Sequence, residues 1–312
     1  MTADRSSTGP TESETMAKAR ALDKRRKSIR NIRKITRTME LIATARYRKA
    51  MERATAVTDF TQRITQVVAD LSSTGAEARH PLLETHPTTE RGLLLVLSAN
   101  RGLCGGYNAS IVRTAVARHR ELTQGTADQP GLELTVEVSG TRGNSALRYR
   151  DITVDQLYRQ FDDQPAYAEV EEIANVYIDK YVKGQIDRLD VVYTRFVSMA
   201  KQEAVAETLL PFGALAEESA SESAGEVDYD FYPSAEGILA EIVPMSFRAK
   251  LFKCFLDAAV SEQIARMVAM KSATENADDM IKRLSMTYNR ARQSQITNEI
   301  MEIIAGAEAL AK

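Results

Sequence analysis

The stretch that decides the fold is Met245–Ala305, MSFRAKLFKCFLDAAVSEQIARMVAMKSATENADDMIKRLSMTYNRARQSQITNEIMEIIA. It contains neither Gly nor Pro, although the chain has 15 Gly and 8 Pro among its 312 residues. At that frequency about four or five helix breakers would be expected here, so their absence favours a continuous helix. An unbroken helix of this length would extend for roughly 90 Å at the usual rise per residue.

Apolar and small residues recur along this stretch in steps of four and three. The two runs are Ala277, Ile281, Leu284, Tyr288 and Ala291, followed by Ile296, Ile300, Ile303, Ala307 and Leu310. Such steps are typical of the line of contact between two helices of a coiled coil, which we call the seam. The five-residue step between the runs predicts a local disturbance of the supercoil.

A second long helix is predicted near the N-terminus, because Thr11–Thr74 also lacks Gly and Pro. Its apolar residues on one helical face are Ile29, Ile32, Ile35, Met39 and Ile42. Lys18–Arg53 carries fourteen Lys or Arg residues against three acidic ones, so the remaining surface is strongly basic. Two long helices with apolar faces, at opposite ends of one chain, most simply pair with each other in antiparallel directions.

The middle of the chain has a different pattern. Leu93–Leu97 is a short apolar run typical of a strand buried on both faces, and a glycine turn follows it. Leu132–Val138 is predicted to be a second strand and Tyr167–Lys183 a helix, and two further strands are predicted at Asp190–Val197 and Ala204–Leu210. The sequence therefore predicts a mixed α/β protein, with a small Rossmann-like α/β domain of parallel strands between the two paired helices.

These patterns divide the chain into four predicted parts. Residues 1–16 form a flexible lead, and 17–74 form the N-terminal coiled-coil helix. Residues 75–228 contain the α/β domain with its linkers, and 229–312 contain a foot segment and the C-terminal coiled-coil helix. Either Met1 or Met16 could be the true start.

Composition limits the classes of function. The 41 basic and 43 acidic residues nearly cancel, so the net charge of the chain indicates no partner. Two cysteines, Cys104 and Cys254, are too few for a disulfide framework. No apolar run is as long as a bilayer span, and the polar first residues do not resemble a secretory signal.

An enzymatic function and nucleic-acid binding are two alternative interpretations of the sequence. The turn Gly102–Gly106 could bind phosphate through its amides, but it has neither the P-loop nor the GxGxxG spacing, which favours a structural turn. His80, His86 and His119 have no neighbours at metal-ligand spacing, and we expect no cofactor. The basic N-terminal helix could bind nucleic acid, although Tyr47 is the only aromatic residue there for base stacking.

Four motifs resemble the gamma subunit of F-type ATP synthase. They are ITRTM at Ile35–Met39, RGLCGG at Arg101–Gly106, ARMVAMKSATENA at Ala265–Ala277, and YNRARQ at Tyr288–Gln293 with Ile296, Thr297 and Glu299 behind it. The resemblance is collinear over roughly residues 17 to 310, and the C-terminal motif is the most specific.

The resemblance implies a role as the rotating central stalk. In that family the paired terminal helices lie inside a hexamer of alternating alpha and beta subunits, and the α/β domain lies beside the epsilon subunit and the membrane ring of c subunits. Flow of protons or sodium ions turns the stalk, and ATP is made or hydrolysed on the beta subunits. The chain itself would then have no catalytic site, and would be a peripheral membrane protein on the cytoplasmic face of the cell membrane through the complex.

The resemblance also implies site residues. Arg292, Gln293 and Thr297 match a catch that hydrogen-bonds a loop of the beta subunit, and their groups suit a carboxylate partner. Arg37, Met39 and Arg46 match the region that passes the acidic beta-subunit loop, although packing in the seam explains Met39 equally well.

The predicted foot near the c ring and epsilon comprises Tyr229, Phe231 and Tyr232. Two positions depart from the family pattern. Asn100 replaces an aspartate that usually begins the glycine turn, and Tyr232 replaces a glutamate that usually precedes the proline.

Overall fold

The computed structural model describes residues 12–73, 80–86, 88–125, 131–161, 164–212 and 235–310. These residues form two compact units. The first comprises the described residues up to 41 and from 269 onward, and the second comprises the described residues between 42 and 268. The elements, in chain order, are α1 Glu12–Ser73, β1 Arg91–Leu97, α2 Tyr107–Gln124, β2 Glu133–Ser139, α3 Thr141–Arg148, β3 Gln156–Tyr158, α4 Tyr167–Val182, β4 Arg188–Phe196, β5 Gln202–Leu210 and α5 Ala235–Leu310.

The second unit is built on one five-stranded sheet with the order β3-β2-β1-β4-β5. β1 pairs in parallel with both β2 and β4, and β2 pairs in parallel with β3. β5 runs antiparallel to β4, whereas the parallel pairing predicted from the alternation of strands and helices holds between β1 and its neighbours β2 and β4. The connection from Phe196 to Gln202 is too short for the crossover that a parallel partner needs, which explains the antiparallel turn.

Alternate residues of β1 enter two separate hydrophobic clusters. Leu93, Leu95 and Leu97 pack into a cluster with α4 and α5 residues, while Leu94 and Val96 pack against α2 and β2. This alternation is why the strand is apolar throughout, since both of its faces are covered by helices. The sheet is therefore the middle layer of three, as expected for a Rossmann-like arrangement.

Helix α5 changes its environment along its length. Between Leu239 and Ile264 most of its residues are buried in the second unit, and its apolar residues there occupy all sides of the helix. Beyond Ala277, within the first unit, no position is fully buried among the described residues. A single helix thus begins as a core element and ends as a largely exposed one.

α5 is longer than its breaker-free stretch: it starts at Ala235 and has Pro244 in its interior. α1 starts at Glu12, within the segment 1–16 that is predicted to be flexible, and no Gly or Pro follows Pro10 to interrupt the helix. The sequence patterns did not predict α3 and β3, which are short and show little periodicity.

Gly140, between β2 and α3, lies in close contact with the backbone that follows β1. Its φ of +98° is unfavourable for other residues, and a Cβ atom there would lie 2.1 Å from the Ser98 carbonyl oxygen. Gly140→Ala should therefore lower the free energy of unfolding by about 3 kcal/mol or more. Thermal or urea unfolding of the full chain would measure the loss.

The matched control is Gly106→Ala, because a Cβ there meets no described atom within 4 Å and its φ is −84°. It should change stability by no more than about 0.5 kcal/mol. Equal losses for the two variants would contradict the steric explanation.

Candidate partner-binding surface

Described residues of α1 and α5 contact each other within the first unit. The Thr274 hydroxyl donates to the Thr36 hydroxyl at 2.8 Å, in a buried position. The Arg33 guanidinium lies 2.5 Å from the Asp278 carboxylate, and that of Arg26 lies 4.7 Å from the centre of the Tyr288 ring. The residue numbers fall on α5 as they rise on α1, which is the order of an antiparallel pair.

On α1, the side that packs is not the apolar face expected from the sequence. Thr36 is only 8% exposed, whereas Ile32 and Ile35 are 46% and 60% exposed. The expected seam position of these isoleucines is therefore wrong. Small side chains such as Thr36 and Ala277 let two helix backbones approach closely, and the larger isoleucines are left on the outside.

On α5, the half-buried positions after Ala291 are not the isoleucines predicted for the seam. The next half-buried positions are Gln295 and Glu299, at steps of four residues. The Gln295 amide donates to the Glu299 carboxylate at 2.8 Å. The predicted burial of Ile296 and Ile300 in the seam is therefore wrong, while the predicted disturbance of the supercoil stays a prediction.

Three isoleucines expected in the seam, Ile296, Ile300 and Ile303, instead form an exposed surface together with Ile304, which we call the tip stripe. It consists of Ile296, Ile300, Ile303 and Ile304, whose exposed fractions are 42%, 51%, 72% and 50%. Sequence reasoning misplaced the first three of these residues, although the break in spacing at Ile296 was a signal. Several large apolar side chains exposed side by side are typical of a surface that a partner covers.

The proposed catch residues lie beside the tip stripe on the same helix. Gln293 and Thr297 are one turn apart and share its face, while Arg292 points about 100° away from Gln293. All three are exposed, and the Arg292 and Gln293 side chains have no polar partner among the described residues. The Thr297 hydroxyl donates to the Gln293 carbonyl at 3.0 Å, which leaves its oxygen lone pairs available as acceptors. Their role as a catch stays a prediction.

The second set of predicted residues is divided between the units. Arg37 and Met39 belong to the first unit; Arg37 is exposed and Met39 is half-buried. The Arg37 guanidinium contacts both carboxylate oxygens of Glu40, at 2.8 and 2.9 Å. Arg46 is half-buried in the second unit. The predicted foot residues Tyr229, Phe231 and Tyr232 lie outside the described residues.

Several cations of α1 are neutralised by the protein itself. Arg26 and Lys27 both contact Asp23, at 2.6 and 3.0 Å, and Arg33 and Arg37 have the partners given above. The hydrogen bonds from Lys27 and Arg26 hold the pKa of Asp23 below its ordinary value. Such pairing lowers the number of free cations that could release counterions from a nucleic acid.

Three backbone amides around the glycine turn after β1 are bound within the protein. The amide of Ala99 donates to the Asn108 side chain, that of Tyr107 to the Cys104 carbonyl, and that of Arg142 to the Ala99 carbonyl. These donors are thus occupied by protein acceptors, which leaves them unavailable for phosphate.

Asn100, one of the departures from the family pattern, has a clear role in the same turn. Its amide nitrogen donates to the carbonyls of Arg159 and Phe161, at 3.2 and 2.8 Å, and its oxygen accepts the Thr141 amide. An aspartate carboxylate could accept the third bond but could not donate the other two. The amide at this position therefore ties the turn to the segment after β3.

The described ranges contain neither a cluster of metal ligands nor a membrane-spanning helix. Three or more metal-binding side chains are nowhere grouped closely enough to hold an ion. Nor does any described helix combine the length and the apolar character needed to cross a bilayer.

Comparison with known proteins gives a consistent result. Residues 18–310 match the family model described as ATP synthase. The ATP synthase gamma chain of Rhodopirellula baltica is 62% identical over 95% of this chain and 99% of its own length. The gamma chain of Streptomyces avermitilis is 36% identical over 95% of this chain and 97% of its own length.

Solved structures agree at the level of the fold. The rotor of the Euglena gracilis mitochondrial ATP synthase matches 90% of this chain and 99% of its own chain, with a TM-score of 0.60 and 19% identity. A chain of the Tetrahymena thermophila central stalk and c-ring structure matches 77% of this chain and 99% of its own, with a TM-score of 0.52 and 17% identity.

Proposed function

The chain belongs to the gamma-chain family of F-type ATP synthase, the central-stalk rotor subunits, and we propose how its residues perform this role. The exposed ends of α1 and α5 turn inside a hexamer of alternating alpha and beta subunits. The sheet unit lies beside the epsilon subunit and the c ring. The comparisons give no support to the alternative of a nucleic-acid-binding protein.

The stalk itself is an antiparallel coiled coil of the two terminal helices. The support is the order of the three contacts, from Thr36–Thr274 through Arg33–Asp278 to Arg26–Tyr288. A hydrogen bond, an ion pair and a cation–π contact spaced along two helices oppose sliding, because each requires one particular register. Two helices held in one register resist bending better than either alone, as a shaft requires.

The observation that carries the proposal is the tip stripe. Ile300, at 51% exposure, and its neighbours would cost the isolated chain free energy in water, and a surrounding apolar sleeve removes that cost. Because the stripe lies on one face of α5, the shaft presents different surfaces to the three beta subunits. A rotating shaft changes the nucleotide affinity of a site only if it contacts each conformation differently.

Hydrogen-bonding residues supplement these apolar contacts. Arg292, Gln293 and Thr297 act as the catch for a carboxylate-bearing loop of the beta subunit. Arg37, Met39 and Arg46 of α1 contact the acidic beta-subunit loop. On contact, the Arg37 guanidinium leaves the Glu40 carboxylate and pairs with an acidic residue of the loop. This exchange keeps the guanidinium paired before and after contact, which lowers the free-energy cost of contact.

The last part of the proposal concerns the membrane end of the complex. Tyr229, Phe231 and Tyr232 approach the c ring and epsilon, and the chain associates with the cytoplasmic face of the membrane only through the complex. Ion flow turns the ring and stalk together. ATP is made or hydrolysed on the beta subunits, with no catalytic site or cofactor on this chain.

A disulfide between the paired helices tests this function. In Thr36→Cys/Thr274→Cys the new thiols replace hydroxyls that are 2.8 Å apart, so oxidation of the assembled complex should link the helices. ATP synthesis driven by an ion gradient should continue in the linked complex, because both helices turn as one body. Gel mobility of the chain and the synthesis rate are the two measurements.

The control pair is Thr38→Cys/Thr274→Cys, which moves one thiol about 200° around α1 to an exposed position. It should not form the link within the chain. If the Thr36→Cys/Thr274→Cys pair forms no disulfide, the coiled-coil pairing is refuted. If the disulfide forms and ATP synthesis stops, the two helices do not rotate as one body. Salt-dependent RNA binding by a chain that does not copurify with alpha and beta subunits would favour the nucleic-acid alternative.

A further inference from the structure

A buried charged group connects α5 to the sheet within the second unit, and we call it the Glu207 cluster. Glu207 of β5 accepts hydrogen bonds from the Tyr193 hydroxyl at 2.6 Å and the Arg195 guanidinium at 3.0 Å, both on β4. Its other carboxylate oxygen lies 2.7 Å from the Lys250 ammonium of α5. Three elements therefore meet at one carboxylate, whose side chain is only 10% exposed.

Both partners in the central pair are charged. Burial opposes ionisation of Glu207, but Lys250, Tyr193 and Arg195 together outweigh it and lower the pKa of the carboxyl. Burial likewise opposes protonation of Lys250, but Glu207 and Cys254 together outweigh it and raise the pKa of the amine. A buried pair of this kind contributes little net stability compared with apolar packing, yet it accepts only one geometry.

Two further hydrogen bonds join α5 to neighbouring elements of the second unit. The Ser261 hydroxyl donates to the Thr194 carbonyl of β4 at 3.2 Å. The Tyr107 hydroxyl of α2 donates to the Ala258 carbonyl of α5 at 3.1 Å. Together with the Lys250 contact, these bonds span about three turns of α5, from Lys250 to Ser261.

The chemistry of these contacts differs from that of the surrounding core. Phe247, Leu251 and Phe255 bury α5 in the hydrophobic cluster, but apolar packing is non-directional and permits small rotations of a helix about its axis. Hydrogen bonds to a buried charge are directional and lose most of their energy when the helix rotates.

We propose that the Glu207 cluster is the joint that fixes the rotational setting of α5 on the sheet and carries torque from the sheet unit into the helix. The proposal rests on the rotor function, because it assumes that load enters at the sheet unit and is delivered by the exposed end of the same helix. Lys250 and Glu207 are then positioning residues that act through α5 and contact no nucleotide.

The experiment uses the complete ATP synthase in lipid vesicles, carrying Lys250→Met in this chain. The ratio of gradient-driven ATP synthesis to ATP hydrolysis should fall about tenfold, since loss of a hydrogen bond between charged groups shifts an equilibrium by about that factor. Glu207 keeps Tyr193 and Arg195 as partners in this variant, which favours folding.

Lys253→Met is the matched control. Lys253 is also a largely buried amine on α5, but its partner Asp257 lies on the same helix, so the pair joins no second element. Its ratio of synthesis to hydrolysis should equal that of the wild type. Lys250→Arg should restore the ratio, because the guanidinium can also pair with Glu207.

The outcomes separate the two hypotheses. If the wild type couples normally and Lys250→Met has the same ratio of synthesis to hydrolysis, the role of the Glu207 cluster as a joint is refuted. The rotor function is not affected by that result. A wild-type chain that does not assemble with alpha and beta subunits overturns both. If Lys250→Met does not fold, Ser261→Ala replaces it as the test, and an unchanged ratio in that variant overturns the joint.

Discussion

Ile296→Asp/Ile300→Asp should leave the chain folded and abolish its assembly with the alpha and beta subunits. Both isoleucines are largely exposed, so neither contributes much to the free energy of folding. In the complex each aspartate would be buried without a partner, at a cost of several kcal/mol. The apparent affinity for the hexamer should fall by at least about a hundredfold.

Circular dichroism and thermal unfolding would establish the fold, and copurification with the hexamer would measure assembly. The control is Ser294→Asp/Asn298→Asp, which adds the same charge on the opposite face of the helix, at exposed positions. The control should assemble much better than the tip-stripe variant. Equal assembly of the two variants would exclude the tip stripe as the main contact.

Gln293→Leu/Thr297→Val should lower ATP turnover by the assembled complex by about a hundredfold, while the isolated chain remains folded. These near-isosteric changes remove the amide and the hydroxyl that share one face of α5. Each lost hydrogen bond to a charged partner costs about 1.5–3 kcal/mol in the complex, whereas exposed side chains contribute little to the free chain.

Here the control is Gln295→Leu/Thr287→Val, which removes the same two groups from other faces of the helix. Gln295 is bonded to Glu299, and the Thr287 hydroxyl donates to the Arg283 carbonyl, so both act within the helix. ATP hydrolysis rates of the purified complexes are the measurement. A catch variant with wild-type turnover would refute the role assigned to Gln293 and Thr297.

Much of the sheet unit could be predicted from local patterns. Leu93–Leu97 was expected to be a strand buried on both faces, and alternate residues of β1 do enter two different clusters. β5 could not be oriented, because strand propensity is the same in both directions and only the short connection to β4 decides it. The short elements α3 and β3 carry too few residues to show a period.

The surface residues were predicted less well, for a physical reason. Periodicity shows which side chains share a helical face, but it does not show which face the partner helix takes. At Thr36 a small side chain was packed and Ile35 was left outside, because close helix approach outweighed burial of the larger residue. On α5, Gln295 and Glu299 are half-buried and hydrogen-bonded to each other, whereas Ile296 and Ile300 are exposed.

The sequence by itself determined the two long helices, the α/β region between them and the family, because each depends on local spacing or on collinear motifs. Only the tertiary structure decided which isoleucines are exposed on α5 and which carboxylate Lys250 contacts. Those outcomes depend on contacts between residues far apart in the chain, where packing and charge pairing compete. Local sequence patterns contain no information about that competition.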